Sequence, residues 1–402
     1  MVRSGALIGS TGLSLFFDRT VHRRNWGAVE VKFGIDGRYL SDRIAAGVPR
    51  YVHEICLNLE QAMPEATFIV YTQDAKGWTP PSARWVIRDE PIEFLRRIKP
   101  NLWLKLRMGA FCERDGLDVF WSGCGLLPRL SRKILACMTV QDINQVLVPE
   151  TMSWGSRLSV SAFFAGDLRR ADVVFAGSYG TARRVEHHYG RKADAVVQSS
   201  VSPTFRPISP QEYQPVLERY RLTQRYMMTV GVSEPRKNLS RLFDAIEELH
   251  SEDRLGGRCV AMIGRPGWKN EAVLERIERF SKTWLRPLGF VDDADLAPLY
   301  SGSDLFLFPS IYEGFGIPAL EARSCGALVM ATDIPEIREA AGDNAIYSEG
   351  PDVPALKAAI LAGLAQADAH DDGWNPEPVK WPTWGDGANI IAEAIRVRLR
   401  TA

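Results

Sequence analysis

The sequence predicts an α/β protein of two Rossmann-like, doubly wound domains that face each other across a cleft. Three observations lead there. The chain has 402 residues, about two ordinary domains. Short apolar runs of strand length alternate with helical patterns along most of it, which implies mostly parallel strands covered on both faces. That alternation breaks over residues 199–222, which hold four prolines and little periodicity and contain a linker at Ser199–Pro210, and then starts again.

In chain order, residues 1–30 stand outside the pattern. Ala6 to Phe17 is mildly apolar and Arg19 to Arg24 is basic. A secretory signal would put the charge first. The segment reads as a poorly ordered extension or as the product of an upstream start codon. The first strand is Val31–Ile35, ending in Asp36-Gly37. Gly47-Val48-Pro49 then leads into a helical pattern carried by Tyr51, Ile55, Leu59 and Ala62. Strands follow at Phe68–Tyr71, Leu117–Trp121, Lys133–Val140, Ala171–Ala176 and Ala195–Gln198, with a helix over Thr181–Tyr189. The linker core is Ser199–Pro210.

The second half repeats the scheme. Strands are expected at Tyr226–Val230, Val260–Ile263, within Trp284–Phe290, and at Asp304–Phe308, Ala327–Ala331 and Ala345–Tyr347. Helices are expected from Leu239 to about His250, over Leu296–Gly302, from Pro318 to near Gly326, over Asp352–Ala365, and from Trp384 to about Arg398. The expected division is an extension at 1–30, a first domain at 31–205, a second at 206–383 and a terminal helix within 384–402.

Composition narrows the function. The six cysteines are scattered, with no Cys-x-x-Cys pair and no histidine cluster, so neither a zinc site nor a disulfide framework is expected. His187 and His188 are helix neighbours and point apart. No apolar run reaches 18 residues, so no membrane-spanning helix is expected. Net charge is zero, but residues 1–205 carry 27 Lys and Arg against 20 Asp and Glu, and the rest 22 against 29. The halves, at +7 and −7, point to different partners or to ordinary solvated faces. No nucleic-acid-binding module is visible, so no nucleic acid partner is expected. Asp292, Asp293 and Asp295 have a spacing that could hold a divalent cation, but a cap on the helix near Leu296 explains them without one, and no metal is expected.

Two motifs carry the chemistry. In Phe308–Glu321, two glycines flank Phe315 between a strand and a helix, and Glu313 and Glu321 stand eight residues apart. Glu313 lies in the loop and Glu321 in the first helical turn. A helix start offers unpaired N–H groups to an anion, and the two carboxylates beside it can hold hydroxyl groups. In the second motif, Arg236-Lys237-Asn238 follows a strand and precedes a helix, and the paired cations suit a diphosphate. Phosphate and polyol recognised together suggest a sugar nucleotide. Read alone, Arg236 and Lys237 could be solvated loop charges and Glu321 an ordinary helix-turn acid.

Gly231–Leu239 with Glu-Pro-Arg-Lys-Asn, and Phe308–Glu321 with its paired glutamates, resemble the donor-binding signatures of glycosyltransferase family 4, retaining enzymes of the GT-B fold. Gly34–Arg38, Gly47–Tyr51, Ala176–Ser178, Leu288–Val291 and Gly326–Val329 extend the resemblance over residues 31–398. It implies that Arg236 and Lys237 hold the donor diphosphate, Glu321 the ribose hydroxyls, and Glu313 the transferred sugar. It implies that backbone N–H groups of Gly314, Phe315 and Gly316 meet sugar and phosphate, that Phe290 and Val291 lie against the base, and that Gly47 lets backbone approach the phosphates. The terminal helix would cross back onto the first domain. Many relatives carry His-Asp where this chain has Gln141-Asp142; Gln141 hydrogen-bonds but cannot carry a proton charge. Ser199-Ser200-Val201 replaces a common Pro-Asn-Gly.

The expectation is therefore a retaining, metal-independent hexosyltransferase with catalytic residues Glu313, Arg236, Lys237 and Gln141. It would take a nucleoside diphosphate sugar as substrate, with no separate cofactor, and a glycan or lipid-linked acceptor. Gly34–Arg38 with Gly47–Tyr51 resembles bacterial polysaccharide mannosyltransferases and favours GDP-mannose. The alternatives are a sugar-nucleotide 2-epimerase of the same fold and a non-catalytic sugar-nucleotide-binding subunit. A cytoplasmic protein is expected. Residues 94–107 mix Phe94, Leu95, Trp103 and Leu104 with Arg96, Arg97, Lys99, Lys105 and Arg107, which suits peripheral contact with the inner membrane face, although Pro100 interrupts one continuous amphipathic helix.

Overall fold

The computed structural model describes residues 30–40, 47–74, 77–265, 267, 270–369 and 379–401. The expectation for residues 1–29 lies outside the described residues. Two parallel sheets form the framework. The first has seven strands: β1 (Val31–Asp36), β2 (Ala66–Thr72), β3 (Trp85–Asp89), β4 (Val119–Ser122), β5 (Leu135–Val140), β6 (Val173–Ala176) and β7 (Ala195–Val196), in the order β3-β2-β1-β4-β5-β6-β7. The second has six: β8 (Tyr226–Val230), β9 (Cys259–Ile263), β10 (Leu285–Gly289), β11 (Leu305–Phe308), β12 (Val329–Thr332) and β13 (Ile346–Ser348), in the order β10-β9-β8-β11-β12-β13. Both are the doubly wound sheets expected.

Alternation along the strands explains the layers. In β8, Tyr226 and Met228 enter one apolar cluster and Met227 enters the cluster on the opposite face. Such burial on both faces is why the strands read as continuous apolar runs. Helices cover each sheet on both sides, and the four resulting clusters are the core.

Several elements had weak signals. β3 is an edge strand. The Trp154–Arg170 helix has no single apolar face, with Trp154 and Leu158 exposed. The Pro210–Arg219 helix begins where the expected linker, Ser199–Pro210, ends; its capping box, Ser209 with Glu212, was in the sequence but masked by the prolines. The helices Glu271–Phe280 and Pro335–Ala341 also went unforeseen. The helix assigned to Leu296 starts at Asp293, with Asp292 at the N-cap but no side-chain cap bond. Glu321 is the fifth residue of the Ile317–Ser324 helix, so it sits in the second turn and not the first.

The terminal helix, Trp384–Thr401, packs on the first sheet's Val48–Ala62 helix. Trp384, Ala388, Ile391, Ala392 and Ile395 join Tyr51, Ile55 and Leu59 in one cluster. The Trp384 and Tyr51 rings meet edge-on at 5.9 Å, and Arg396 pairs with Glu65 at 2.7 Å. Just before it, Trp381 donates to the Ser199 carbonyl at 2.9 Å and its ring meets that of Phe315 at a tilt, 5.6 Å between centres. The chain end thus fastens the two halves together.

Ile391→Ala should cost about 2–5 kcal/mol in denaturant unfolding, because Ile391 is fully buried in that shared cluster. A loss under about 1 kcal/mol would mean the terminal helix is not part of the core.

Candidate functional site

In each sheet the strand order reverses direction at one point, between β1 and β4 in the first and between β8 and β11 in the second. Connections leave such a pair to opposite sides, and a crevice opens beyond their C-terminal ends. The segment after β8 is Gly231–Asn238 and the segment after β11 is Pro309–Gly316. The two motifs, more than 70 residues apart, are therefore neighbours by topology. The backbone confirms it: the Ile311 N–H donates to the Arg236 carbonyl at 2.9 Å.

Glu313 is the centre of this crevice. It is buried, and its carboxylate accepts from the Arg236 guanidinium and from Lys237 Nζ at 2.6 Å. Arg236 also pairs with Glu234 at 2.8 Å, and Lys237 lies 5.1 Å from the Phe308 ring centre. The local backbone arranges this. Pro235–Lys237 is a single 3₁₀ turn that ends on Asn238 at φ 56°, after which the Leu239–Ser251 helix begins. Burial disfavours the Glu313 charge, but Arg236 and then Lys237 outweigh it and hold its pKa at about 2. Burial lowers the pKa of Lys237 in spite of Glu313.

Glu321 forms a second centre. It too is buried, and accepts from the Tyr300 hydroxyl at 3.1 Å. Its other oxygen accepts from Arg50 at 2.8 Å. Arg50 comes from the first turn of the Val48–Ala62 helix, across the cleft, and also binds Asp293 at 2.5 Å. Burial dominates here and raises the Glu321 pKa to about 7, with Arg50 opposing. Of the three aspartates considered for a metal, Asp293 is thus taken by Arg50, and Asp295 by Arg219 and Tyr220.

The remaining predicted residues surround these centres. Gly314 faces the first sheet's loop so closely that a Cβ there would lie 2.1 Å from the Gln141 carbonyl oxygen. Gly316 caps the Ile317–Ser324 helix at φ 105°, a conformation that favours glycine. Phe315 between them is buried in the core, so only its backbone is available to a ligand. The Gln141 side-chain amide donates to the Gly123 carbonyl at 3.1 Å. Gly47, at φ 77°, has open space beside it at the start of the Arg50 helix. Val291 is buried, whereas Phe290 is 64% exposed, with Arg265 stacked 5.0 Å from its ring.

The structure adds roles that the motifs did not assign. Arg50 and Tyr300 hold Glu321. Asp142 lies against Gly314 and near Arg236, and burial raises its pKa. Tyr312 enters the first domain's core cluster, and its hydroxyl accepts from the Ile143 N–H at 3.1 Å. On the same side, Glu339 accepts from the N–H groups of Tyr179 and Gly180 at 2.9 and 2.6 Å, and Glu336 pairs with Arg184 at 2.5 Å. Position 50 had one readable signal, an arginine in the first turn of a glycine-led helix. Its partner, Glu321, was marked by its own motif, but nothing in the sequence paired the two across 271 residues.

Comparison with solved structures places this architecture. Sucrose-phosphate synthase from Thermosynechococcus elongatus superposes with a TM-score of 0.64 at 17% identity, covering 92% of this chain and 97% of that one. WaaG, a glycosyltransferase involved in lipopolysaccharide biosynthesis, gives 0.63 at 16% identity, covering 92% and 99%. The fold is that of the GT-B glycosyltransferases.

Residues 224–366, which contain both motifs, match the family described as "Glycosyl transferases group 1". O-antigen chain mannosyltransferase B of Escherichia coli is 33% identical over 293 residues, spanning 70% of this chain and 74% of that protein. The chain belongs to the group 1 glycosyltransferases, and it is a glycosyltransferase of the bacterial polysaccharide type.

Two carboxylates with opposite displacements should separate by pH. Glu313, held below its ordinary value of 4.5, stabilises the fold above that pH and loses this as pH falls towards 2. Glu321, raised from 4.5 to about 7, keeps its proton longer folded than unfolded, so its contribution to stability falls as pH rises from about 4.5 to about 7. Unfolding free energies of wild type and Glu321→Gln should therefore diverge by about 1–3 kcal/mol between pH 5 and 7.5, wild type losing more. A constant difference across that range would contradict the assignment.

Proposed function

We propose that this chain is a retaining, metal-independent hexosyltransferase. It moves mannose from GDP-mannose to a hydroxyl of a glycan or lipid-linked acceptor in surface polysaccharide synthesis. The observation that carries the reading is Glu313 gripped by Arg236 and Lys237 at the second sheet's switch point. The anomeric carbon's bond to the diphosphate breaks and its bond to the acceptor oxygen forms. The acceptor proton passes to the departing diphosphate, and attack comes from the same face. Negative charge grows on the leaving diphosphate, so Arg236, Lys237 and the N–H groups around Gly314 and Gly316 act where stabilisation lowers the barrier. With Arg236 and Lys237 at hand to neutralise the diphosphate, the reaction needs no metal ion. Glu313 then serves the sugar hydroxyls and Glu321 the ribose. Mannose is favoured by the Escherichia coli relative's name and by the Gly34–Arg38 and Gly47–Tyr51 likeness.

Lipid-linked acceptors fit a surface of the first domain. Phe94, Leu102, Leu106, Trp154 and Leu158 are exposed, among the exposed cations Arg97, Lys99 and Arg157. The segments are adjacent, since Asn101 donates to Ser159 at 3.1 Å. Pro100 does separate the Glu93–Arg96 turn from the helical run that follows it. Apolar side chains ringed by cations suit an anionic lipid surface. Among the described residues no helix is long and apolar enough to cross a membrane.

Transfer assayed with GDP-mannose beside UDP-glucose, UDP-galactose and ADP-glucose should show GDP-mannose preferred, with the α-configuration kept in the product. Lys237→Ala should lose at least about a hundredfold in kcat/KM while staying folded, because Arg236 still neutralises Glu313. Wild-type turnover in that variant would sink the reading. The protein should also sediment with anionic vesicles, and Trp154→Ser with Leu106→Ser should release it; equal sedimentation would remove the membrane contact.

A further inference from the structure

We infer that Arg50, which pairs with Glu321 in this structure, is a third donor-phosphate cation supplied by the first domain. The inference rests on the donor reading above and extends it to a residue outside both motifs.

Three cations meet the crevice, and each is already bonded to a carboxylate. Arg236 and Lys237 hold Glu313, with Glu234 on Arg236. Arg50 holds Glu321 and Asp293, and its side chain is only 11% exposed. Four carboxylates thus face three cations, and a nucleoside diphosphate adds further negative charge. It can enter only by exchange. Hydroxyl groups are donors, so ribose and sugar hydroxyls can replace the cations on the carboxylates, while the phosphates take the cations released. At Glu313 this exchange frees Arg236 and Lys237. At Glu321 the same exchange frees Arg50.

The geometry favours Arg50 reaching phosphate after release. It stands in the first turn of a 15-residue helix whose N-cap, Gly47, supplies no side-chain cap bond and has open space beside it. The helix start and the guanidinium therefore present positive charge to the same place. In a nucleoside diphosphate the phosphates begin one carbon from the ribose, so a side chain displaced from the ribose's own carboxylate is beside them. A guanidinium fork matches phosphate oxygens two at a time. Its remaining partner, Asp293, has a side chain 60% exposed, and water screens such a pair. Glu321 keeps the Tyr300 hydroxyl and gains the ribose. Donor binding would then trade a contact between carboxylate and arginine across the cleft for one between phosphate and arginine, so the first domain stays engaged while the nucleotide enters.

Calorimetric titration of the full chain with GDP and with guanosine tests this. Arg50→Ala should weaken GDP by roughly tenfold or more, since one charge-assisted contact is lost. Guanosine, which lacks phosphate, should bind as well as before or better, since Glu321 has lost a competitor. Arg50→Gln keeps a donor for Glu321 without the charge and should show the same split, which guards against misfolding of the alanine variant. GDP binding unchanged or tightened in both variants would overturn the inference and make Arg50 a mere competitor for Glu321. Equal weakening of GDP and guanosine would overturn it as well. If Lys237→Ala loses GDP while the Arg50 variants keep it, the donor reading stands and only Arg50's role falls. If wild type binds none of GDP, UDP and ADP, the donor reading falls and this inference with it.

Discussion

The buried carboxylate of Glu313 between Arg236 and Lys237 is the interaction on which the rest depends. A charge taken out of water is costly unless it is paired, and removing one partner of a buried pair costs about 3–5 kcal/mol. Glu313 has two partners, both delivered by the loop after β8, and it is itself delivered by the loop after β11. The pairing therefore fixes the two loops against each other at the point where the sheet's connections diverge. On the proposed reading, the Glu313 carboxylate keeps the two cations in place for a diphosphate and can later take sugar hydroxyls instead.

The same logic runs across the cleft. Arg50 reaches Glu321 from the opposite domain, Tyr312 places its ring in the opposite core, and Glu339 accepts from the start of the Tyr179–Tyr189 helix. These contacts bring the faces close enough that Gly314 has no room for a side chain beside Gln141. On the proposed reading, closure of this kind would expel water from the reacting groups, strengthening each electrostatic contact and limiting hydrolysis of the donor. The chain end reinforces it, since Trp381 touches both Phe315 and the Ser199 carbonyl before the final helix returns to the first sheet.

Much of this was legible in the sequence, for physical reasons. Strands buried on both faces must be apolar throughout, so β1, β8 and β11 announced themselves. The helix at Trp154 went unseen because it lacks a clean apolar stripe, and the one at Pro335 because it has only seven residues, whereas the Glu271 helix carries a stripe, Val273, Ile277 and Phe280, that was overlooked. Glu313, Arg236 and Lys237 were readable because each lies at a strand-to-helix junction, where sequence order maps onto one end of a sheet. Their mutual pairing was not, since it depends on strand order β8-β11 and that order is a property of the fold. Arg50 lay further from view: its partners, Glu321 and Asp293, belong to the other domain, and contact across a cleft leaves no local pattern. Glu321 lies one residue deeper in the helix than expected, because Ile317, with Pro318 behind it, opens the helix.

A crystal structure of the protein with GDP bound tests the central claim most directly. The account predicts the diphosphate on Arg236 and Lys237, with the Glu313 carboxylate released from them and open towards the sugar position, and the ribose on Glu321. A bound diphosphate elsewhere, with Glu313 still clasped by Arg236 and Lys237, would contradict it.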